Sequence, residues 1–109
     1  MSVSTHVLDA SVGRPASGVA VMLSFLDSSG AWVAVESAET DGDGRNRFGA
    51  PTGAGVYRLV FGTGAYFAAR GVAAFYPEVT ITFTVADPGA HYHVPLLLSP
   101  FAYSTYRGS

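Results

Sequence analysis

An all-β sandwich of about eight short strands with one short helix is the fold this sequence predicts. Three observations point there. Val79, Ile81, Phe83 and Val85 alternate with Glu78, Thr80, Thr82 and Thr84, the period of a strand with one dry face and one wet face. Apolar runs at 19–26 and 31–35 flank Asp27-Ser-Ser-Gly30, a composition that closes a hairpin. Gly, Pro and Asp turns separate the other apolar segments.

Taken in order, residues 3–9 open with Val3, Thr5 and Val7 on one face and Ser4, His6 and Leu8 on the other. The hairpin strands follow at 19–26 and 31–35. A short strand is expected at 45–48 and a longer one at 55–61. Residues 64–71 are Ala-rich, follow Thr63 as an N-cap and end at a glycine, which predicts the one short helix. Strands at 78–85, 92–98 and 101–107 complete the set. In the penultimate strand Tyr92, Val94, Leu96 and Leu98 form the apolar row, so His91, His93 and Pro95 face away from the core. With no repeat or linker, the 109 residues read as one domain over 1–109, large enough to bury roughly two thirds of its unfolded surface.

Composition narrows the function classes. The chain has no cysteine, so disulfides, thiol nucleophiles and cysteine-ligated metals are excluded. Its net charge is -2, with six scattered arginines and no lysine, which argues against a surface that tracks nucleic-acid phosphates. No apolar stretch approaches the ~20 residues that span a bilayer, the first residues lack a secretory layout, and Arg-Gly-Ser is not a peroxisomal address. A soluble cytoplasmic protein is the resulting expectation.

Several motifs take a bland reading. Asp41-Gly-Asp-Gly44 looks like the start of a calcium loop, but Thr52 stands where such a loop needs its bidentate Glu, so a Gly-rich turn is expected. Gly62-Thr-Gly64 lacks a lysine and reads as a strand-to-helix turn. Ser99 and Ser104 lie in no Gly-x-Ser-x-Gly elbow and have no acidic partner, which speaks against a serine hydrolase.

All three histidines fall on strands. Each taken singly is explained by packing, with His6 at an edge and His91 and His93 satisfying each other and nearby carbonyls. Two chemical readings compete with that. Three histidines can ligate zinc and leave a position open for water. Alternatively, neutral imidazoles with pKa values near 6.5 can act as general acid and base beside an arginine that holds an anion or a developing oxyanion. Spacing does not choose between them.

A resemblance does. Ser4-Thr-His-Val-Leu-Asp9, Gly13-Arg-Pro-Ala16, Thr40-Asp-Gly-Asp-Gly-Arg45, Phe75-Tyr-Pro-Glu-Val79, His91-Tyr-His-Val-Pro-Leu-Leu-Leu-Ser-Pro100 and Tyr103-Ser-Thr-Tyr-Arg-Gly-Ser109 together resemble the transthyretin-related 5-hydroxyisourate hydrolases across essentially the whole chain. The most specific element is Tyr-Arg-Gly-Ser, which marks the hydrolases and is lost in the hormone carrier of the same fold. The resemblance implies a transthyretin-like pair of four-stranded antiparallel sheets with one short helix. It also implies a homotetramer built as a dimer of dimers, with sites where dimers meet. Carried over by motif, the catalytic residues are His6, Arg45 and His93, and the substrate-binding residues are His6, Arg45, His93, Tyr106 and Ser109, with no metal and no cofactor. In the carrier the corresponding histidines and arginine are replaced. Ala102 departs from the glycine common in relatives but removes no functional group.

The activity so implied is hydrolysis of 5-hydroxyisourate to 2-oxo-4-hydroxy-4-carboxy-5-ureidoimidazoline in urate degradation. His93, paired with His6, would activate water and return the proton, while Arg45 would hold the carbonyls and the charge developing on oxygen. The competing expectations are a transthyretin-like small-ligand carrier without turnover and, more remotely, a monomeric adhesion-type sandwich.

Overall fold

The alternation along the chain is realised as two packed sheets in the computed structural model, which describes residues 2–49 and 53–109. The strands are β1 (Ser2–Asp9), β2 (Arg14–Pro15), β3 (Ala20–Leu26), β4 (Trp32–Glu39), β5 (Arg45–Phe48), β6 (Gly55–Phe61), β7 (Val79–Val85), β8 (His91–Leu98) and β9 (Tyr103–Thr105), with the helix α1 (Thr63–Ala68) between β6 and β7. One sheet runs β2-β1-β8-β9, with β5 also on β1; the other runs β4-β3-β6-β7. Val3, Val7, Phe48, Leu96 and Leu98 of the first sheet and Val21, Leu23, Leu59, Phe61 and Val79 of the second meet in one core. Thr52, whose residue type argued against a calcium loop, lies outside the described residues.

Two features differ from the expected pair of four-stranded antiparallel sheets. β1 and β8 pair in parallel, Ser2 opposite His91 through Asp9 opposite Leu98. The whole second sheet intervenes in sequence, so no tight turn obliges these strands to run opposite ways. The two-residue β2 and the four-residue β5 then share β1's other edge, β2 at Leu8 and Asp9 and β5 at Val3 to His6, which makes five strands.

Burial follows the predicted faces. Along β1 Val3, Thr5, Val7 and Asp9 are buried and the alternate residues are half-buried. Tyr92, Val94, Leu96 and Leu98 are buried on β8, while His91 is exposed and His93 half-buried on the opposite face; Pro95 shares that face but is buried. The hairpin turn closes as its composition requires, the Asp27 carboxylate accepting from the backbone N–H groups of Ser29 and Ala31 at 2.9 Å. β4 continues well past residue 35, and β9 is shorter than the predicted strand at 101–107. Ala102 closes the β8–β9 turn through its carbonyl, which accepts from Ser99, and no described non-glycine residue needs a positive φ.

The start of the helix corrects one expectation. Gly62, not Thr63, occupies the N-cap, and no side chain caps it; Thr63 is the first helical residue, with a buried, unpartnered hydroxyl. Tertiary backbone bonds set this start instead, Gly62 N–H to Ala20 C=O at 2.8 Å and Gly64 N–H to Pro77 C=O at 3.0 Å. The far end matches the predicted glycine stop. Gly71 at φ 69° donates to Ala68 C=O and Val72 to Phe67 C=O, a Schellman closure. A buried polar bond docks the helix, the Tyr66 hydroxyl donating to the Asp9 carboxylate at 2.9 Å.

Gly44 is the glycine the site depends on. Its φ is 74°, its carbonyl accepts from Val7 N–H at 2.7 Å, and a Cβ there would stand 2.3 Å from the Val7 carbonyl oxygen. Gly30 has φ 85° but open space around it. Gly44→Ala should therefore cost about 2–3 kcal/mol and Gly30→Ala about 1 kcal/mol in denaturant unfolding. Equal losses would show that contact with β1 does not constrain residue 44.

Candidate active site

On the outward face of the first sheet, β1 is the middle strand and fixes who meets whom. Ser4 stands opposite Arg47 on β5 and opposite His93 on β8; His6 stands opposite Arg45 and Pro95; Ser2 stands opposite His91. Residues two apart share a face, so Ser2, Ser4 and His6 lie between Arg45 and Arg47 on one side and His91 and His93 on the other. The three histidines of the chain thus gather on one patch with two of its six arginines.

Hydrogen bonds tie the patch together. Ser4 Oγ lies 2.7 Å from His93 Nδ1 and 2.9 Å from His91 Nε2. His91 Nδ1 lies 2.5 Å from Ser2 Oγ, which accepts from Arg47 Nη2 at 3.3 Å. Asp41 serves the opposite rim. Its carboxylate accepts from the backbone N–H of Asp43 at 2.8 Å and of Arg45 at 3.0 Å, and these bonds, led by that from Arg45, hold its pKa below the usual carboxylate value. The Asp-Gly-Asp-Gly segment is accordingly a turn that fixes the start of β5, with Arg45 as its first residue.

A cavity of about 410 Å³ opens on this face, lined by Ser4, Thr5, Asp41, Arg45, Asn46, Arg47, His91, His93 and Ser109. A second, mostly apolar cavity of about 320 Å³ is lined by Ile81, Phe83, Thr84, Tyr92, His93, Val94, Thr105, Tyr106 and Arg107. His93 lines both. Of the residues singled out from the sequence, Arg45, His93 and Ser109 line the first cavity; His6 is Arg45's strand neighbour without lining it; Tyr106 is 60% exposed at the second.

The chain brings its tail to His93 by leaving the β9 ladder after Thr105 and rejoining at Gly108. That residue's N–H donates to the His93 carbonyl at 2.9 Å. A Cβ on Gly108 would stand 2.4 Å from the imidazole Cδ2, so glycine is needed for the backbone to lie against the ring. Arg107 places its guanidinium 5.0 Å from the centre of the Tyr92 ring. Within the Tyr-Arg-Gly-Ser motif, the glycine therefore has a steric task of its own.

Burial first, then the positive charge of Arg45 and the neighbouring His91 and His6, push the His93 pKa below 6.5; a bond to the Ser4 backbone opposes them. The shift favours the neutral imidazole, whose Nδ1 faces the Ser4 hydroxyl. That is the condition a general base requires. Among the described residues no three His, Asp or Glu side chains are grouped as metal ligands, so the three-histidine zinc arrangement is not assembled. Sequence reasoning missed Ser2 and Arg47. The signal was the same two-residue spacing, which puts Ser2 on the face of Ser4 and His6 and Arg47 on that of Arg45.

Residues 3–108 match the model of the HIUase/Transthyretin family. A probable 5-hydroxyisourate hydrolase of Caenorhabditis elegans is 45% identical, the match covering 99% of this chain and 82% of the relative. The solved structure of Klebsiella pneumoniae 5-hydroxyisourate hydrolase superposes with a TM-score of 0.88 at 39% identity, covering 100% of both chains. Sea bream transthyretin in complex with thyroxine superposes equally well, with a TM-score of 0.89 at 35% identity over 97% of this chain and 93% of that one.

The direction of the His93 shift is open to direct measurement. A histidine NMR titration should give His93 a midpoint below 6.5, so that it gains its proton only on the acid side of that value. A midpoint at or above 6.5 would mean that Arg45 and burial do not govern this imidazole.

Proposed function

The chain belongs to the HIUase/Transthyretin family, and we infer that it is a 5-hydroxyisourate hydrolase acting in urate degradation. It opens the ring of 5-hydroxyisourate with water, giving 2-oxo-4-hydroxy-4-carboxy-5-ureidoimidazoline. The fold alone does not choose between hydrolase and carrier, since both superpose at nearly the same score. The observation that carries the inference is a neutral imidazole, His93, set beside Arg45 in a polar cavity. A carrier of an apolar ligand has no use for a base held neutral next to a guanidinium.

Cleavage of an acyl C–N bond needs a proton removed from water, charge held on the former carbonyl oxygen, and a proton delivered to the leaving nitrogen. His93 takes the water proton at Nε2 and passes it to the ring nitrogen as the bond breaks. Arg45 presents parallel N–H groups to the ring carbonyls and to the oxyanion. Its position beside His6 supports a second proton-handling group at the same carbonyl. Ser109 closes the cavity, and Tyr106 flanks His93 from the other side.

The assembly proposed is a homotetramer, a dimer of dimers with its sites between dimers, the whole 1–109 domain forming each subunit. The exposure of Phe101, Tyr103 and Tyr106 along the β9 edge supports burial there against another copy, since an open apolar edge invites pairing. No described helix is long and apolar enough to cross a membrane, and the proposed compartment is the cytoplasm.

Ultraviolet absorbance of freshly made 5-hydroxyisourate separates the readings. The protein should accelerate its decay, and His93→Asn and Arg45→Ala should each lower kcat/KM by roughly 10²-fold or more while circular dichroism stays native. A carrier would leave the decay unchanged or slow it. Light scattering at micromolar concentration should report four subunits; a fully active monomer would remove the intersubunit site.

A further inference from the structure

We propose that Ser4 is a positioning residue that holds His93 in the tautomer protonated at Nδ1, using His91 as its own acceptor. The inference rests on His93 being the base, and it adds how that base is kept in its working form.

The argument is a donor count. Ser4 has one hydroxyl proton and faces two imidazole nitrogens, His93 Nδ1 at 2.7 Å and His91 Nε2 at 2.9 Å. It can donate to at most one of them, so it accepts from at least one. If Ser4 donated to His93, the His93 proton would sit on Nε2, the nitrogen that has to receive the proton of water. In the opposite polarity His93 Nδ1–H donates to Ser4, Ser4 donates to His91 Nε2, and His91 Nδ1–H donates to Ser2 Oγ. Arg47, which can only donate, also gives its proton to Ser2 Oγ at 3.3 Å. The four protons donated along this path, from His93, Ser4, His91 and Arg47, each have an acceptor.

Only this polarity survives turnover. When His93 Nε2 gains a proton, Nδ1–H still donates to Ser4 and nothing else needs to turn, so the arrangement is preorganised for the imidazolium. In the reverse polarity, protonating His93 would set an N–H against an O–H. Arg45 and Arg47 have no acceptor and His6 has no hydrogen bond to His93, while the Ser4 backbone, which also bonds this ring, is kept in Ser4→Ala, so that substitution removes the hydroxyl's share alone. With water in place of the hydroxyl the ring is freer to carry its proton on Nε2, the form neutral imidazole favours.

The test uses the protein labelled with ¹⁵N at histidine, observed at about pH 8, well above the His93 midpoint. Native His93 should show the pattern of Nδ1–H with Nε2 unprotonated. Ser4→Ala should move it toward the Nε2–H pattern and lower kcat by roughly 10-fold, the scale of one lost hydrogen bond, with KM unchanged. Ser4→Thr keeps the hydroxyl and should restore both; His91→Ala, which removes the acceptor, should fall between. The proposal is overturned by native His93 protonated on Nε2, by a tautomer indifferent to Ser4→Ala, or by native kcat in Ser4→Ala. Native turnover in His93→Asn, with the Ser4-dependent tautomer intact, would instead remove His93 as the base and leave its positioning in place.

Discussion

The register of β1 against β8 is what the outward face depends on. Ser4 opposite His93 and Ser2 opposite His91 put hydroxyls and imidazoles in reach, while Thr5 and Val94 turn inward on the same two strands. A shift by one residue would send the histidines into the core and Tyr92 and Val94 into solvent. The apolar row of β8 therefore fixes the chemistry opposite it, and the Thr5 hydroxyl, which donates to the Val94 carbonyl at 2.6 Å, fastens the pair from the buried side. β5 joins the same strand through the Asp41 turn and Gly44, so Arg45 is located by backbone bonds rather than by its own side chain.

Charge on this face is one-sided and useful. Two arginines permanently carry charge beside imidazoles that would add to it if protonated. Like charges at this spacing disfavour a further proton, and partial burial of His93 removes solvent that would have stabilised one. On the proposed reading the same charge suits an electron-rich, carbonyl-bearing ring. Burial together with the cationic groups crowded along three strands then holds the base neutral, and one of those groups, Arg45, holds the oxyanion on that same reading.

Much of this was legible in the chain. Period-two alternation located β1, β7 and β8, apolar runs about a turn located β3 and the start of β4, and the ends of β5 and β6 fell where glycine and the charged turn put them. The parallel direction of β1 and β8 was not legible, since strand direction across a long connection leaves no local mark. Thr63 was misjudged as a cap for a related reason: bonds from Ala20 and Pro77, remote in sequence, decide where α1 begins. At the site, His6, Arg45 and His93 carried motif signals, but Ser2 and Arg47 gain their roles from cross-strand neighbours. Ordinary residues become informative only once register is known.

Ser4 and His93 are separated by 89 positions in the chain, and the patch draws on both of them and on Arg45 and Arg47 between. Such pairings raise contact order, and closing so long a loop is an entropic cost met only when the second sheet is available to bring the ends together. The hairpin of β3 and β4 is local and can form early, whereas the β1–β8 ladder must wait for nearly the whole chain. Catalytic competence is thus coupled to the slowest class of contact in the fold. A population of partly folded molecules with native-like strands in the second sheet would hold none of the activity.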